Sequence, residues 1–202
     1  MLIGLVGLIG SGKDTVAERL VTKHSYKRDS FAHPLKDAVS KIFNWDRELL
    51  EGNTKESREW REQPDPFWSK KFNKDVTPRW VLQYFGTEVM RGQMHDAIWV
   101  DSLIARYKGE KTVISDTRFQ NEIKNIKAHG GIIVLVKRNY IMPTREEMQK
   151  QGTHQSEWDW IGAHFDHFDY TIDNTNSLEG LNANIDQFVN QLQDHRSSNA
   201  TS

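Results

Sequence analysis

Gly7-Leu8-Ile9-Gly10-Ser11-Gly12-Lys13-Asp14-Thr15 follows the apolar run Leu2-Ile3-Gly4-Leu5-Val6 and opens a stretch with Val16, Ala17 and Leu20 on one helical side. Strand, glycine loop and helix, in that order, decide the reading of the fold. Glycines at both ends of a G-x4-G-K string let the backbone curl until successive N–H groups point at one anion. Lys13 adds a mobile positive charge, and the helix that follows turns its positive dipole end toward the same place. Gly10, Ser11, Gly12, Lys13, Asp14 and Thr15 are therefore the expected binders of a nucleoside triphosphate's phosphates. In the usual string a Ser or Thr follows the lysine and its hydroxyl ligates Mg²⁺. In this chain Asp14 occupies that place and Thr15 comes one step later. A carboxylate serves a hard cation as well, so both residues are candidates for the metal. The alternative for Asp14 is a first-turn acid that stabilises the helix dipole.

Outward from the loop, short apolar runs alternate with helical patterns, which predicts a mostly parallel sheet covered by helices. Strands are expected at 2–6, 26–32, 112–115, 132–136 and 169–172. Helices are expected at about 14–24, from Pro34, at 78–91, 97–107, 119–129 and 177–193, with Gly130-Gly131 ending the fifth. The Trp-bearing stretch from about 45 to 75 has no clear period and reads as an irregular insert that packs onto the core, with a base-stacking surface or a subunit interface as the alternative. Residues of about 139–165 are polar, lie between two strands and take the position of a lid. One domain over 1–194 is expected, followed by a disordered tail at 195–202.

The chain has 202 residues and a net charge of −1 from 27 basic and 28 acidic side chains. Proteins that grip nucleic-acid backbones usually carry a basic excess, so no nucleic-acid partner is expected. Cysteine is absent, which excludes disulfides and thiolate metal sites and fits a reducing cytoplasm. The N-terminal apolar run is too short to span a bilayer, so no membrane partner is expected.

Two further clusters carry chemistry. Asp116 ends the predicted strand Thr112-Val113-Ile114-Ser115, at the carboxyl edge where open parallel sheets bind ligands. There it suits an acid that holds Mg²⁺ or orients an acceptor, and Arg118 suits a bidentate phosphate clamp. A helix cap with a solvated partner is the plainer reading of that pair. Residues 77–91 place Arg79, Gln83, Thr87 and Arg91 four apart on one helical face, where a cation, an amide, a hydroxyl and a cation can read a base and hold a 5′-phosphate. His154, His164 and His167 have irregular spacing and no cysteine beside them, which argues against a zinc site. The run His154-Gln155-Ser156-Glu157 reads as the cap of a short helix.

Taken together, the chain resembles the deoxynucleoside monophosphate kinases of tailed bacteriophages. The shared features are Gly10-Ser11-Gly12-Lys13-Asp14-Thr15, Phe31-Ala32 with Pro34-Leu35-Lys36, and Arg79 with Leu82-Gln83, Gly86 and Thr87. They continue with Asp116-Thr117-Arg118 and Glu122, Gly130-Gly131, Arg138, His154 with Ser156-Glu157, Asp173-Asn174 and Ser177-Leu178. The Asp after the loop lysine, unusual among phosphate loops, is what this family looks like. The resemblance implies a P-loop α/β fold: a three-layer nucleoside monophosphate kinase-like core with a parallel five-stranded sheet, helices on both faces and an arginine-bearing lid. It implies ATP and Mg²⁺ as cofactors, a deoxynucleoside monophosphate (dNMP) as second substrate, and a cytoplasmic setting, the host's if the gene is viral. It leaves room for a homodimer. Lys13, Asp116, Arg118, Arg138 and Arg145 are the implied catalytic set. Asp14, Thr15 and Asp116 are the implied metal shell. Lys36, Arg79, Gln83, Thr87, Arg91, Arg118 and Asn121 are the implied acceptor site. The rivals are a phosphomevalonate or dephospho-coenzyme A kinase, and an ATP-binding regulatory module without kinase activity.

Overall fold

The computed structural model describes residues 1–138, 141–161 and 168–199, the last five for their backbone alone. It divides into two compact units. One comprises Met1–Ser30 with the described residues from Tyr107 onward, and the other is the contiguous segment Phe31–Arg106.

The first unit holds the sheet. Strands β1 (Leu2–Val6), β2 (Lys27–Asp29), β3 (Thr112–Ile114), β4 (Ile132–Lys137) and β5 (Tyr170–Asp173) lie in the order β2-β3-β1-β4-β5. Every neighbouring pair is parallel. Helix α1 (Lys13–His24) follows β1. The second unit contributes α2 (Ala32–Phe43), α3 (Arg47–Glu51), α4 (Lys55–Arg61), α5 (Pro66–Phe72), α6 (Pro78–Gln83) with the π-helix Tyr84–Met94, and α7 (Ile98–Arg106). Then come α8 (Gln120–Ala128), α9 (Arg145–Lys150) and α10 (Leu178–Asn199) of the first unit.

Because both faces of a parallel sheet are covered, its strands read as continuous apolar runs instead of alternating ones. All five residues of β1 are buried accordingly. Ile3, Leu5, Val113, Val134, Val136 and Ile172 point to one face, where Val16, Ala17 and Leu20 of α1 and Leu181, Ile185 and Phe188 of α10 cover them. On the other face α8 approaches so closely that a Cβ at Gly4 would fall 2.7 Å from Ile126 Cδ1. The sheet is therefore a middle layer, as the apolar runs predict. A further staple ties α1 to α10: Asp186 accepts from Arg19 Nε at 2.9 Å and Nη2 at 2.7 Å, and it also pairs with Lys23 and His24.

Several expectations change. The insert of about 45–75 is three short helices, each begun by a capping side chain. Asp46 accepts from the Glu48 and Leu49 amides, Thr54 from Ser57 and Asp65 from Trp68. Within its own unit Trp45 lies on Phe43 at 4.6 Å, Trp60 meets Trp45 edge-on at 6.1 Å and Trp68 meets Phe43 at 4.8 Å, while Phe67 and Phe72 are exposed. The helix expected at 78–91 gives way after Gln83 to a wider π-helical stretch, inside which the Gly86 carbonyl accepts from the Trp99 indole at 2.9 Å. Helix α2 starts two residues before Pro34. Helix α10 continues to Asn199, past the boundary at 194. Of the lid span of about 139–165, residues 139–140 and 162–165 lie outside the described residues, as do His164, His167 and residues 200–202. Among the described residues no helix is long and apolar enough to cross a membrane.

Candidate active site

The loop leaves the carboxyl end of β1, between β3 and β4. Strand neighbours depart there in opposite directions, which opens a crevice for ligands. Gly12, the N-cap of α1, has φ of 101° and offers no side-chain cap. The first amides of α1, which have no carbonyl one turn earlier to bond, thus stay available to an anion. A left-handed φ excludes most residues at position 12, and packing excludes the rest: a Cβ there would lie 2.4 Å from Asn174 Nδ2. That amide donates to Ser11 O at 2.8 Å, so Asn174, just past β5, clamps the loop in shape.

Lys13 Nζ donates to the loop's own carbonyls, Gly7 O at 2.7 Å and Leu8 O at 2.9 Å. Burial, and next the nearby Arg118 guanidinium, lower its pKa to about 8, against the opposing pull of Glu157, Asp14 and Asp116. Those neighbours identify the groups that share the site. Asp14 and Asp116, from the loop and from the end of β3, stand near one ammonium. Arg118, four residues beyond Ile114 at the end of β3, is ion-paired with Glu157. Burial draws the Arg118 pKa down, but Glu157, Asp116 and Glu122 together outweigh it and the net shift is upward. The buried Glu122 accepts from the Arg118 amide at 2.7 Å and the Phe119 amide at 3.0 Å, which fixes the backbone that carries the arginine.

The other expected residues of this unit divide. Arg138, just past β4, donates from Nη1 to Gly10 O at 3.1 Å and so reaches the loop. Arg145, on α9, donates to Asp159 Oδ1 at 2.8 Å and lies 5.1 Å from the centre of the Trp158 ring, so it is held by the 145–159 segment itself. Asn121 is half-buried on α8, and its carbonyl accepts from Asn125. His154 caps a single 3₁₀ turn, Gln155–Glu157. Lys36, Arg79, Gln83, Thr87 and Arg91 all belong to the second unit. Lys36 bonds Glu51 at 2.6 Å, Arg79 bonds Glu62 at 3.1 Å, and the buried Arg91 donates to Asp96 O at 3.1 Å. An α-helix turns about 40° past register every four residues. A π-helix, at about 4.4 residues per turn, falls short by about 30°. The change of pitch at Tyr84 thus offsets part of the drift along positions 79, 83, 87 and 91, of which Arg91 is buried and the other three are partly exposed.

Sequence reasoning missed Arg28. From β2 it is ion-paired with Asp14, and it reaches Ser115 Oγ at 3.0 Å, so it links the loop to the end of β3. No local pattern marks it, because an arginine in a three-residue edge strand looks like solvated surface. Glu157 and Asn174 stood within the family resemblance without a role. Hard oxygen donors suited to Mg²⁺ are present in Asp14, Thr15 and Asp116. Thr15 is exposed on the first turn of α1, and both carboxylates lie near Lys13. That donor set fits the ion.

A glycine loop between the first strand and first helix of a parallel 2-3-1-4-5 sheet, with a lysine and two arginines gathered on it, defines a P-loop phosphotransferase. The sequence profile of the deoxynucleotide monophosphate kinase family matches residues 61–185. The chain belongs to that family, and it is therefore a kinase that draws on ATP. A protein of Acanthamoeba polyphaga mimivirus that bears the deoxynucleotide monophosphate kinase name is 35% identical over 152 residues, 68% of this chain and 74% of the relative. The deoxynucleoside-5′-monophosphate kinase of Escherichia phage T5 is 27% identical over 209 aligned positions, 78% of this chain and 84% of the relative. Among solved structures, shikimate kinase from Acinetobacter baumannii superposes with a TM-score of 0.47 at 14% identity, over 96% of this chain and 93% of that one. So loose a likeness adds nothing to the strand order. The phosphate loop precedes the matched stretch, so its assignment stands on its own geometry.

Proposed function

We propose that the enzyme transfers the γ-phosphoryl group of ATP to the 5′-phosphate of a deoxynucleoside monophosphate, with Mg²⁺, in the cytoplasm where these nucleotides are made. The observation that carries this reading is the convergence of Lys13, Asp14, Asp116 and Arg118 at the carboxyl ends of β1 and β3. Family membership favours it over the other metabolite kinases and over a regulatory module.

Phosphoryl transfer asks a protein for alignment and charge neutralisation, not for covalent help. An oxygen of the acceptor phosphate attacks the γ-phosphorus, the bond to the β–γ bridging oxygen breaks, and ADP leaves. The loop amides and Lys13 hold the β and γ phosphates. Arg118 and Arg138 offset charge that spreads over the γ oxygens, and Arg145 joins them if the 139–165 segment acts as a lid. Asp14, Thr15 and Asp116 would hold a Mg²⁺ ion, which when bound would supply positive charge against the ATP phosphates. Arg28 keeps the Asp14 carboxylate in place. Lys36, Arg79, Gln83, Thr87 and Arg91 recognise the acceptor.

The test is ATP-to-ADP turnover against a panel of dNMPs, NMPs, phosphomevalonate and dephospho-coenzyme A. Turnover confined to particular dNMPs is expected. Lys13→Ala should lower kcat by about 10³-fold or more with an unchanged circular dichroism spectrum. ATP consumption that ignores the acceptor would overturn the reading, and so would a fully active Lys13→Ala variant.

A further inference from the structure

In the second unit Arg61, the last residue of α4, differs from every cation around it. Its Nε is buried and, among the described residues, no hydrogen bond or ion pair engages the guanidinium. The group lies against the turn that ends α3. A Cβ at Gly52 would fall 2.1 Å from Nη2, 2.2 Å from Cζ and 2.6 Å from Nη1, and the φ of +71° there already disfavours any side chain. Around it the charges are shared out. The Glu51 carboxylate accepts from Lys36 Nζ and from Arg47, and Glu62 accepts from Arg79. Burial first, and then repulsion from Arg79 and Arg58, lower the Arg61 pKa, with Glu62 and Glu51 as partial compensation. A half-buried cation without its own carboxylate carries a desolvation cost that an incoming anion would offset.

We infer that Arg61, seated on Gly52 and acting with Lys36 and Arg79, grips the phosphomonoester of the acceptor nucleotide. The guanidinium fork suits this task, since it presents two parallel N–H donors to two phosphate oxygens. This assignment rests on the dNMP kinase reading and adds to it a residue from the insert. The absence of a Cβ at position 52 lets the guanidinium lie where it does.

Steady-state kinetics and calorimetry on the full chain test it. Arg61→Gln should raise the KM for the preferred dNMP roughly 10–100-fold, the scale of one lost charge-assisted pair of bonds, while the KM for ATP stays within about twofold. Wild-type protein should bind the dNMP more tightly than its deoxynucleoside and should bind inorganic phosphate measurably. In Arg61→Gln the preference for the dNMP should collapse, phosphate binding should vanish and deoxynucleoside binding should persist. The melting temperature should hold or rise, because an uncompensated charge has been removed. A dNMP KM like that of wild type overturns the inference. So does an equal loss of dNMP and deoxynucleoside binding, which marks a structural arginine. If Arg61→Gln does not fold, Arg61→Lys, which keeps the charge without the fork, should show the same separation between dNMP and ATP. Failure of the wild-type protein to use any dNMP sinks the functional reading instead, before either variant is read.

Discussion

Lys13 donates both of its observed hydrogen bonds to loop carbonyls, and its pKa of about 8 makes the site sensitive to mild alkali. Polyphosphate favours the charged lysine, so nucleotide binding should raise that pKa. At pH 7 the ammonium is already charged and little proton uptake is due. At pH 8–9 a share of the free protein is neutral, and ATP binding should take up a proton. Titration calorimetry in two buffers of different ionisation enthalpy measures this directly. The uptake should disappear in Lys13→Arg, whose cation stays charged across the range. Uptake that persists in that variant would assign the proton elsewhere. The G-K-D string made Lys13 legible in the sequence, since its chemistry is encoded within nine residues. Arg28 and Arg61 were not legible, because each is defined by what it touches: Asp14 and Ser115 for one, Gly52 for the other.

The inner strands were legible for a reason of layer packing, since a strand covered on both faces has to be apolar throughout, as in Ile132-Ile133-Val134-Leu135-Val136, whereas the charged edge strand β2 spans only Lys27–Asp29 of the expected 26–32. Helices of five to seven residues were not, because they are too short to show a period. Asp46, Thr54 and Asp65-Pro66 nonetheless carried their N-terminal signals. The π-helix was invisible as well, because the bond from Trp99 to Gly86 joins residues thirteen apart. The join between α1 and α10 is the element-scale feature most open to test. Hydrogen bonds from Arg19 chiefly, then Lys23 and His24, hold the Asp186 carboxyl well below the usual carboxylate range, against a smaller upward effect of burial. A lowered folded-state pKa contributes stability above the unfolded value of about 3.9, and that contribution fades as pH falls below it. Asp186→Asn should therefore lower the melting temperature at pH 7 by about 2–4 °C, the response of a chain this size to a modest, partly solvent-screened ion-pair network. The gap should narrow at pH 3.5. A gap that stays constant across that range would show that the carboxylate charge does not carry the effect.

At the scale of the molecule, the sequence between β2 and β3 is a unit in its own right, Phe31–Arg106, and both of the strands it joins are neighbours in one sheet. The phosphate loop, Asp116 and Arg118 belong to the first unit. Lys36, Arg61, Arg79 and the stripe to Arg91 belong to the second. If these are the donor and acceptor sites, the two substrates should protect different amides in hydrogen exchange. ATP alone should slow exchange in residues 7–15 and 116–122, and a dNMP alone should slow it in 36–62 and 79–91. The opposite pattern, or protection by dNMP confined to the first unit, would overturn this division of donor and acceptor between the units.

The amino-acid sequence by itself determined the phosphate loop, the covered parallel sheet and the resemblance to dNMP kinases. These follow from local rules: glycine conformations, apolar periodicity and residue spacing within a few turns. Only the tertiary structure decided which charges neutralise one another. Arg118 is paired with Glu157 across 39 residues, Arg145 is held by Asp159, and Arg61 is left without a carboxylate of its own among the described residues. Coulomb energy depends on separation in space and on burial, and neither quantity is written in the order of the chain.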